Sequence, residues 1–145
     1  MASWEDIAVA STVGARRCIS LVELEKPLLD QLSMQDYSKL VNITKNALHV
    51  TWVLGSDEDN PSNAMMKGMV RVLHNEMPGL EPVYISVDAS TRAQSEKLAA
   101  LIARISVNPM GDGEFKVLNG IPHICRFVPD EALNDVLVEP LVQQW

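Results

Sequence analysis

The chain has little of what most ligand-handling proteins are built on. Its seven glycines, at positions 14, 55, 68, 79, 111, 113 and 120, never space as G-x-G-x-x-G. No loop of that kind can therefore bring backbone amides up to a pyrophosphate. Basic residues are scarce: 12 Lys and Arg against 19 Asp and Glu leave a net charge of −7, which argues against nucleic-acid binding, since that wants a basic face. No run reaches the ~18 apolar residues of a membrane span. The start, MASWEDIAVAST, has acids where a secretory leader has its basic region. There are only two cysteines, Cys18 and Cys125, each inside an apolar run. They read as core thiols and not as a disulfide or a ligand pair, and a cytoplasmic protein is expected. His49, His74 and His123 are scattered, with no metal-ligand spacing among them.

What is present centres on residues 48–88. LHVTWVLG is a continuous apolar run rich in β-branched residues and closed by Gly55, and it reads as a buried strand. After SDEDNPSN comes Asn63 to Met77, where Met65, Met66, Met69, Val70, Val72, Leu73 and Met77 cover one side at about 100° per residue. Pro78-Gly79 ends that helix, and Pro82 to Val87 is the next strand. Together these make a β–α–β unit. In a nucleotide-binding unit the first turn would hold phosphate, but here it is Gly55-Ser56-Asp57-Glu58-Asp59. Each carboxylate would repel a phosphate ~7 Å away by about 2 kcal/mol at an effective dielectric of ~20. This run could take a divalent cation, but it reads as a solvated acidic loop capping the following helix.

Residues 1–17 form a lead-in without strong pattern. Cys18 to Leu24 (CISLVEL) is the first predicted strand, and Pro27 marks a turn or the start of a helix. Ser33 with Asp36 resembles a capping box, followed by a helix over Asp36 to Ala47. Thr91 with Gln94 gives a second such start, for a helix carrying the stripe Leu98, Leu101, Ile102 and Ile105. A loop over 108–113 leads to a hairpin, 114–118 and 121–128, whose Asn119-Gly120 is the favoured type I′ pair. Pro122 places the second arm at a sheet edge. Pro129-Asp130 opens a last short helix, and 138–145 reads as the start of a linker. Two residues of the central helix stand out. Gly68 borders the apolar side and would permit close packing. Glu76 falls inside the apolar arc near a helix C-terminus, so it needs a partner: backbone amides after Met77, or Arg126.

The residues offer no reductase base pair either: four residues after Tyr37 comes Val41, and four after Tyr84 comes Asp88, where a short-chain reductase has Lys. There is no nucleophile elbow. Even so, the order of segments resembles a known family. CISLVELEKPLLD from Cys18, TWVLG from Thr51, GMVRVLHNEMPGL from Gly68, ISVD from Ile85, and the hairpin from Asn119-Gly120 through Cys125-Arg126-Phe127-Val128-Pro129 to Leu133-Asn134 are similar to the non-catalytic ketoreductase-like segment of fungal highly reducing polyketide synthases. The resemblance spans roughly residues 16 to 137. It implies one truncated Rossmann-like α/β subdomain, a three-layer fold with a mostly parallel sheet and a C-terminal β-hairpin. Such a segment binds no cofactor and has no catalytic residue. It packs against the catalytic ketoreductase, which uses NADPH, and against the enoylreductase region of the same synthase. Under this resemblance Gly68, Arg71, Glu76, Pro78, Asn119, Gly120 and Arg126 are structural or interdomain candidates. Two other readings are a small cofactor- or nucleotide-binding α/β domain and the complementing half of a split NADPH-dependent reductase. The wide apolar arc of the methionine-rich helix is expected to leave a partner face exposed, with self-association in isolation.

Overall fold

The computed structural model describes Trp4 and residues 17–56, 58–109, 111–126 and 128–129. One sheet holds β1 (Arg17–Ser20), β2 (His49–Gly55), β3 (Glu81–Val87), β4 (Glu114–Leu118) and β5 (Ile121–His123), side by side in chain order. The first four strands run parallel and β5 returns antiparallel to β4. The expected α/β class, the shared sheet of the three predicted strands and the terminal hairpin are all observed. The helices are α1 (Met34–Asn46), α2 (Asn63–Glu76), the single turn α3 (Ala89–Arg92) and α4 (Ser95–Val107). Among the described residues no helix is long and apolar enough to cross a membrane.

Alternation along the central strands sorts the core into two halves. Val50, Trp52 and Leu54 of β2, with Tyr84 of β3, face the front, where Leu40 and Ile43 of α1 and Met66 and Val70 of α2 cover them. Val53, then Val83, Ile85 and Val87 of β3, with Phe115 and Val117 of β4, face the back beneath Leu98, Ile102 and Ile105 of α4. The β2–α2–β3 and β3–α4–β4 connections step across the sheet in the same direction but lie on opposite faces. They therefore have opposite hands, whereas parallel units as a rule keep one. A doubly wound sheet reaches its second face by reversing strand order. This one reaches it without reversal.

Several local expectations need correction. The first strand stops at Ser20, and Val22–Leu24 forms a 3₁₀ turn across the sheet end. That turn sends Val22 to the front core and Leu24 to the back core, a division that a strand continuing along the sheet edge would not make. The acidic run does not cap α2; its N-cap is Ser62, with no side-chain bond, although Asn60 Oδ1 accepts from the Ser62 amide. Ser33 does cap α1, accepting from the Asp36 amide at 3.0 Å, and Asp36 in turn accepts from the Trp4 indole. Thr91 starts no helix. Asp88 caps α3, and α4 begins after Gln94 without a side-chain cap. The last strand ends at His123, so Cys125 is exposed beyond it, while Cys18 is half-buried in β1. The lead-in (apart from Trp4 and Arg17), Asp57, Phe127, the final helix and 138–145 lie outside the described residues.

The α2 arc closes largely on the protein's own core. Met66 and Val70 are buried, Met69, Leu73 and Met77 pack beside them, and only Met65 and Val72 stay exposed. The expected partner face is therefore not there. Glu76, ten residues from Met66 and so about 80° round the helix, lies on the flank of Met65 and Val72 and is exposed. Gly68 is exposed too, and a Cβ there would meet nothing within 4 Å, so it serves no close approach. Glu76→Gln should accordingly leave unfolding free energy within about 0.5 kcal/mol of the parent, read by chemical denaturation.

The carboxylate that is buried is Glu23, in the 3₁₀ turn. It is 3% exposed; Oε1 accepts the Leu28 amide at 3.0 Å and Oε2 has no partner. Burial pushes its pKa up to about 7, against a weaker pull downward from the Leu28 bond. The folded chain thus holds a proton that the unfolded chain gives up near pH 4.5. Glu23's contribution to stability should be greatest below that pH, fall as pH rises toward 7, and level off above. Glu23→Gln should remove most of this slope and stabilise the fold at pH 8 by about 1–3 kcal/mol. Urea denaturation of both proteins across pH 4 to 8 measures it; parallel curves would exclude Glu23 as the source.

Candidate functional site

Two places could do chemistry or bind. The first is at the carboxyl ends of β2 and β3, whose following loops leave toward opposite faces. In open parallel sheets such a divergence opens the crevice that takes ligands. Here the protein's own groups fill it. Asn63, 4% exposed at the start of α2, donates from Nδ2 to the Ser56 carbonyl at 2.9 Å. A Cβ on Gly55 would stand 2.8 Å from that nitrogen and 3.6 Å from an Arg92 guanidinium nitrogen. Arg92, from the β3 side, bonds Asp59 on the β2 side at 3.3 Å, and Lys116 of β4 bonds Glu58 at 2.6 Å. The acidic turn is thus exposed as expected at Glu58 and Asp59, but it is bound to basic side chains as well as solvated.

Beside it, Asp88 gathers the hairpin turn. Its carboxylate accepts from the Thr91 and Asn119 amides and the Ser90 hydroxyl, while the Thr91 hydroxyl accepts the Gly120 amide at 2.8 Å. Those donors, with the Thr91 and Ser90 bonds foremost, hold the Asp88 pKa well below the usual carboxylate range. Asn119 and Gly120 have φ of 50° and 78°, the left-handed pair that a type I′ turn requires. Their role is therefore to seat the hairpin on α3.

The second place is an open cleft of about 270 Å³ on the front of the sheet, over β4 and β5, where no helix of the described residues lies. Arg71 of α2 forms its wall, with a two-pronged bond to Glu114 of β4 at 2.6 and 2.8 Å; Tyr84 donates its hydroxyl to the same carboxylate at 2.9 Å. Lys67 stands 5.7 Å from the Tyr84 ring centre. The Arg71 bond holds the Glu114 pKa down, whereas burial, reinforced by Glu114, pushes Tyr84 up to about 12. A tyrosine set that far from neutrality is poorly matched to proton transfer. Lys116, His123, Ile124 and Cys125 complete the far side. Of the remaining candidates, Arg126 grips Asp112 at 2.7 and 2.9 Å instead of Glu76, and Pro78 sits exposed in the turn before β3. Sequence reasoning found Arg71 only through resemblance, and it missed Asn63, Asp88, Arg92 and Glu114. Only the Asp88-to-Thr91 capping spacing could have signalled one of them. Among the described residues no group of three or more His, Cys, Asp or Glu could hold a metal.

No family model matches the chain, and no solved structure matches it. Its sequence is similar to segments of fungal reducing polyketide synthases. It is 36% identical over 125 residues to a highly reducing polyketide synthase of Cryptosporiopsis sp., covering 86% of this chain and 5% of that protein. A reducing polyketide synthase of Floropilus chiversii is 31% identical over 130 residues, 90% of this chain and 5% of the relative. A highly reducing one of Neurospora crassa is 29% identical over 140 residues, 92% and 6%. The chain therefore spans about one-twentieth of the length of these relatives.

The filled crevice makes a direct prediction. Gly55→Ala should cost about 1–3 kcal/mol, because its methyl displaces a buried, hydrogen-bonded Asn63. Gly55→Ala combined with Asn63→Ala should recover part of the loss. Melting curves of the three variants test it, and an additive double variant would show that the two sites do not touch.

Proposed function

We propose that this chain is a non-catalytic structural subdomain of a reducing polyketide synthase, supporting the synthase's catalytic ketoreductase and binding no cofactor itself. The observation that carries this reading is the filled crevice. A β–α–β unit presents its phosphate position at the first turn and helix N-terminus, and here Asn63 and the Arg92–Asp59 pair occupy that ground. The similarity to synthases along most of this chain gives the reading its context. Tyr84, bonded to a carboxylate and raised to about 12, is consistent with a scaffold in place of a proton donor.

In this role the subdomain contributes rigidity. Its sheet core is bonded through to the edges, and a neighbouring reductase domain would be ordered by contact with it. NADPH would be bound by the catalytic ketoreductase alone.

Two measurements test the proposal. Titration of the isolated chain with NADPH should show no saturable binding up to millimolar concentration. Removal of the matching segment from the Cryptosporiopsis synthase should lower both the melting temperature and the rate of its NADPH-dependent keto reduction, and grafting this chain in its place should restore them. Micromolar NADPH binding that is lost on Asn63 or Arg92 substitution would establish a cofactor-binding domain instead. An undiminished reduction rate in the deleted synthase would remove the supporting role.

A further inference from the structure

The start of α1 carries a set of contacts suited to one aromatic side chain. Ser33 accepts the Asp36 amide and donates its hydroxyl to Asp36 Oδ2 at 2.8 Å, so the carboxylate is fixed by its own helix start. Lys39 follows three residues later, on the same face of the helix, and is 2% exposed. The carboxylate and the ammonium therefore come from one local stretch, Ser33-x-x-Asp36-x-x-Lys39. What they hold comes from elsewhere. Trp4, thirty-two residues before Asp36, donates its indole N–H to Asp36 Oδ1 at 2.7 Å. Lys39 Nζ stands 5.5 Å from the centre of the same ring, and the Trp4 side chain packs on the front core. Each contact answers a different part of an indole: the donor, the π-face and the hydrocarbon body. The Trp4 bond, ahead of that from Ser33, holds the Asp36 pKa below its usual value, so the acceptor is ionised at neutral pH and the bond is charge-assisted. None of these residues lines the crevice or the cleft.

We propose that Asp36, Lys39 and the adjoining front core form an indole-binding socket, a site that takes a tryptophan side chain as a separable ligand, and that Trp4 is its occupant in this chain. The occupant is selected by the ring seated there and by the donor it supplies. A phenylalanine would fill the apolar part and leave the Asp36 acceptor without its donor, and a site built to bond a donor rejects the analogue that lacks it. The socket goes beyond the structural-subdomain reading and does not depend on it. Within that reading it has a use, which is to clasp the chain ahead of β1 to α1.

The test uses the full chain carrying Trp4→Ala, with N-acetyl-tryptophanamide as the free ligand. The variant should melt below the parent. Millimolar N-acetyl-tryptophanamide should raise its melting temperature and leave the parent, whose socket is filled, unmoved. N-acetyl-phenylalaninamide should act at least tenfold more weakly. In NMR spectra the Lys39 side-chain signals of the variant should move toward their positions in the parent as the indole amide is added. Adding Asp36→Ala should abolish the response, while the bond from the residue 36 amide to Ser33 Oγ survives and keeps α1 capped. A double-mutant cycle of Trp4→Phe and Asp36→Ala gives a second reading that needs no emptied socket: their losses in melting temperature should be strongly non-additive. No response to the indole amide, equal effects of the two amides, a response that survives Asp36→Ala, or an additive cycle would overturn the socket. A dimer of the parent that dissociates on Trp4→Ala would seat a second copy's tryptophan there and overturn the proposed occupant. None of these readouts involves the synthase, so their failure leaves the supporting role standing, and failure of the graft leaves the socket standing.

Discussion

Everything in this molecule depends on two strands being buried on both faces at once. β2 and β3 pair over seven registered positions, from His49 opposite Glu81 to Gly55 opposite Val87. Trp52, Val53, Leu54, Ile85 and Val87 are all fully buried. Their backbone groups are satisfied by the ladder, so the cost of burial falls on side chains, and these are apolar except for the indole N–H of Trp52, which is buried without a hydrogen-bond partner. One consequence is that α2 and α4 must lie on opposite faces, although the strands follow chain order without reversal. Opposite-handed connections are the outcome, and the loops leaving the two strands diverge.

That divergence is where a related architecture would bind a ligand, and this chain uses the space to hold itself together. Asn63, Ser56, Arg92 and Asp59 knit the ends of β2 and β3, and Asp88 with Thr91 ties the hairpin turn to α3. Exposed ion pairs such as Lys116–Glu58 contribute little singly. Their effect here is positional: each links a different pair of elements across one end of the sheet. Under the proposed supporting role, such cross-links would give a partner packing on the domain a fixed surface.

The hydrogen-bonded triad of Arg71, Glu114 and Tyr84 does the equivalent work at the front. It joins α2 to β4 across β3 and forms one wall of the open cleft. Among the described residues the cleft lies beyond the last helix of its layer, and the triad is exposed there. The three long helices of the described residues cover the front of β1 to β3 and the back of the sheet, and leave the front of β4 and β5 open.

Periodicity by itself determined the α/β class, the three long helices, the two central strands and the Asn119-Gly120 hairpin. Each rests on local rules: side chains repeat every two or 3.6 residues, and a type I′ turn needs two left-handed residues. The absence of a glycine-rich loop was equally plain in the sequence. Tertiary structure alone decided the rest. CISLVEL is as apolar as a strand, and only packing on both cores turns it aside after Ser20. The apolar arc of α2 is wider than the surface it covers, so a helical projection could not tell that Glu76 lies outside while Glu23, in an unremarked turn, lies inside. No spacing in the chain links Asn63 to Gly55, Arg92 to Asp59 or Arg71 to Glu114, because those contacts exist only once the sheet has brought distant elements together.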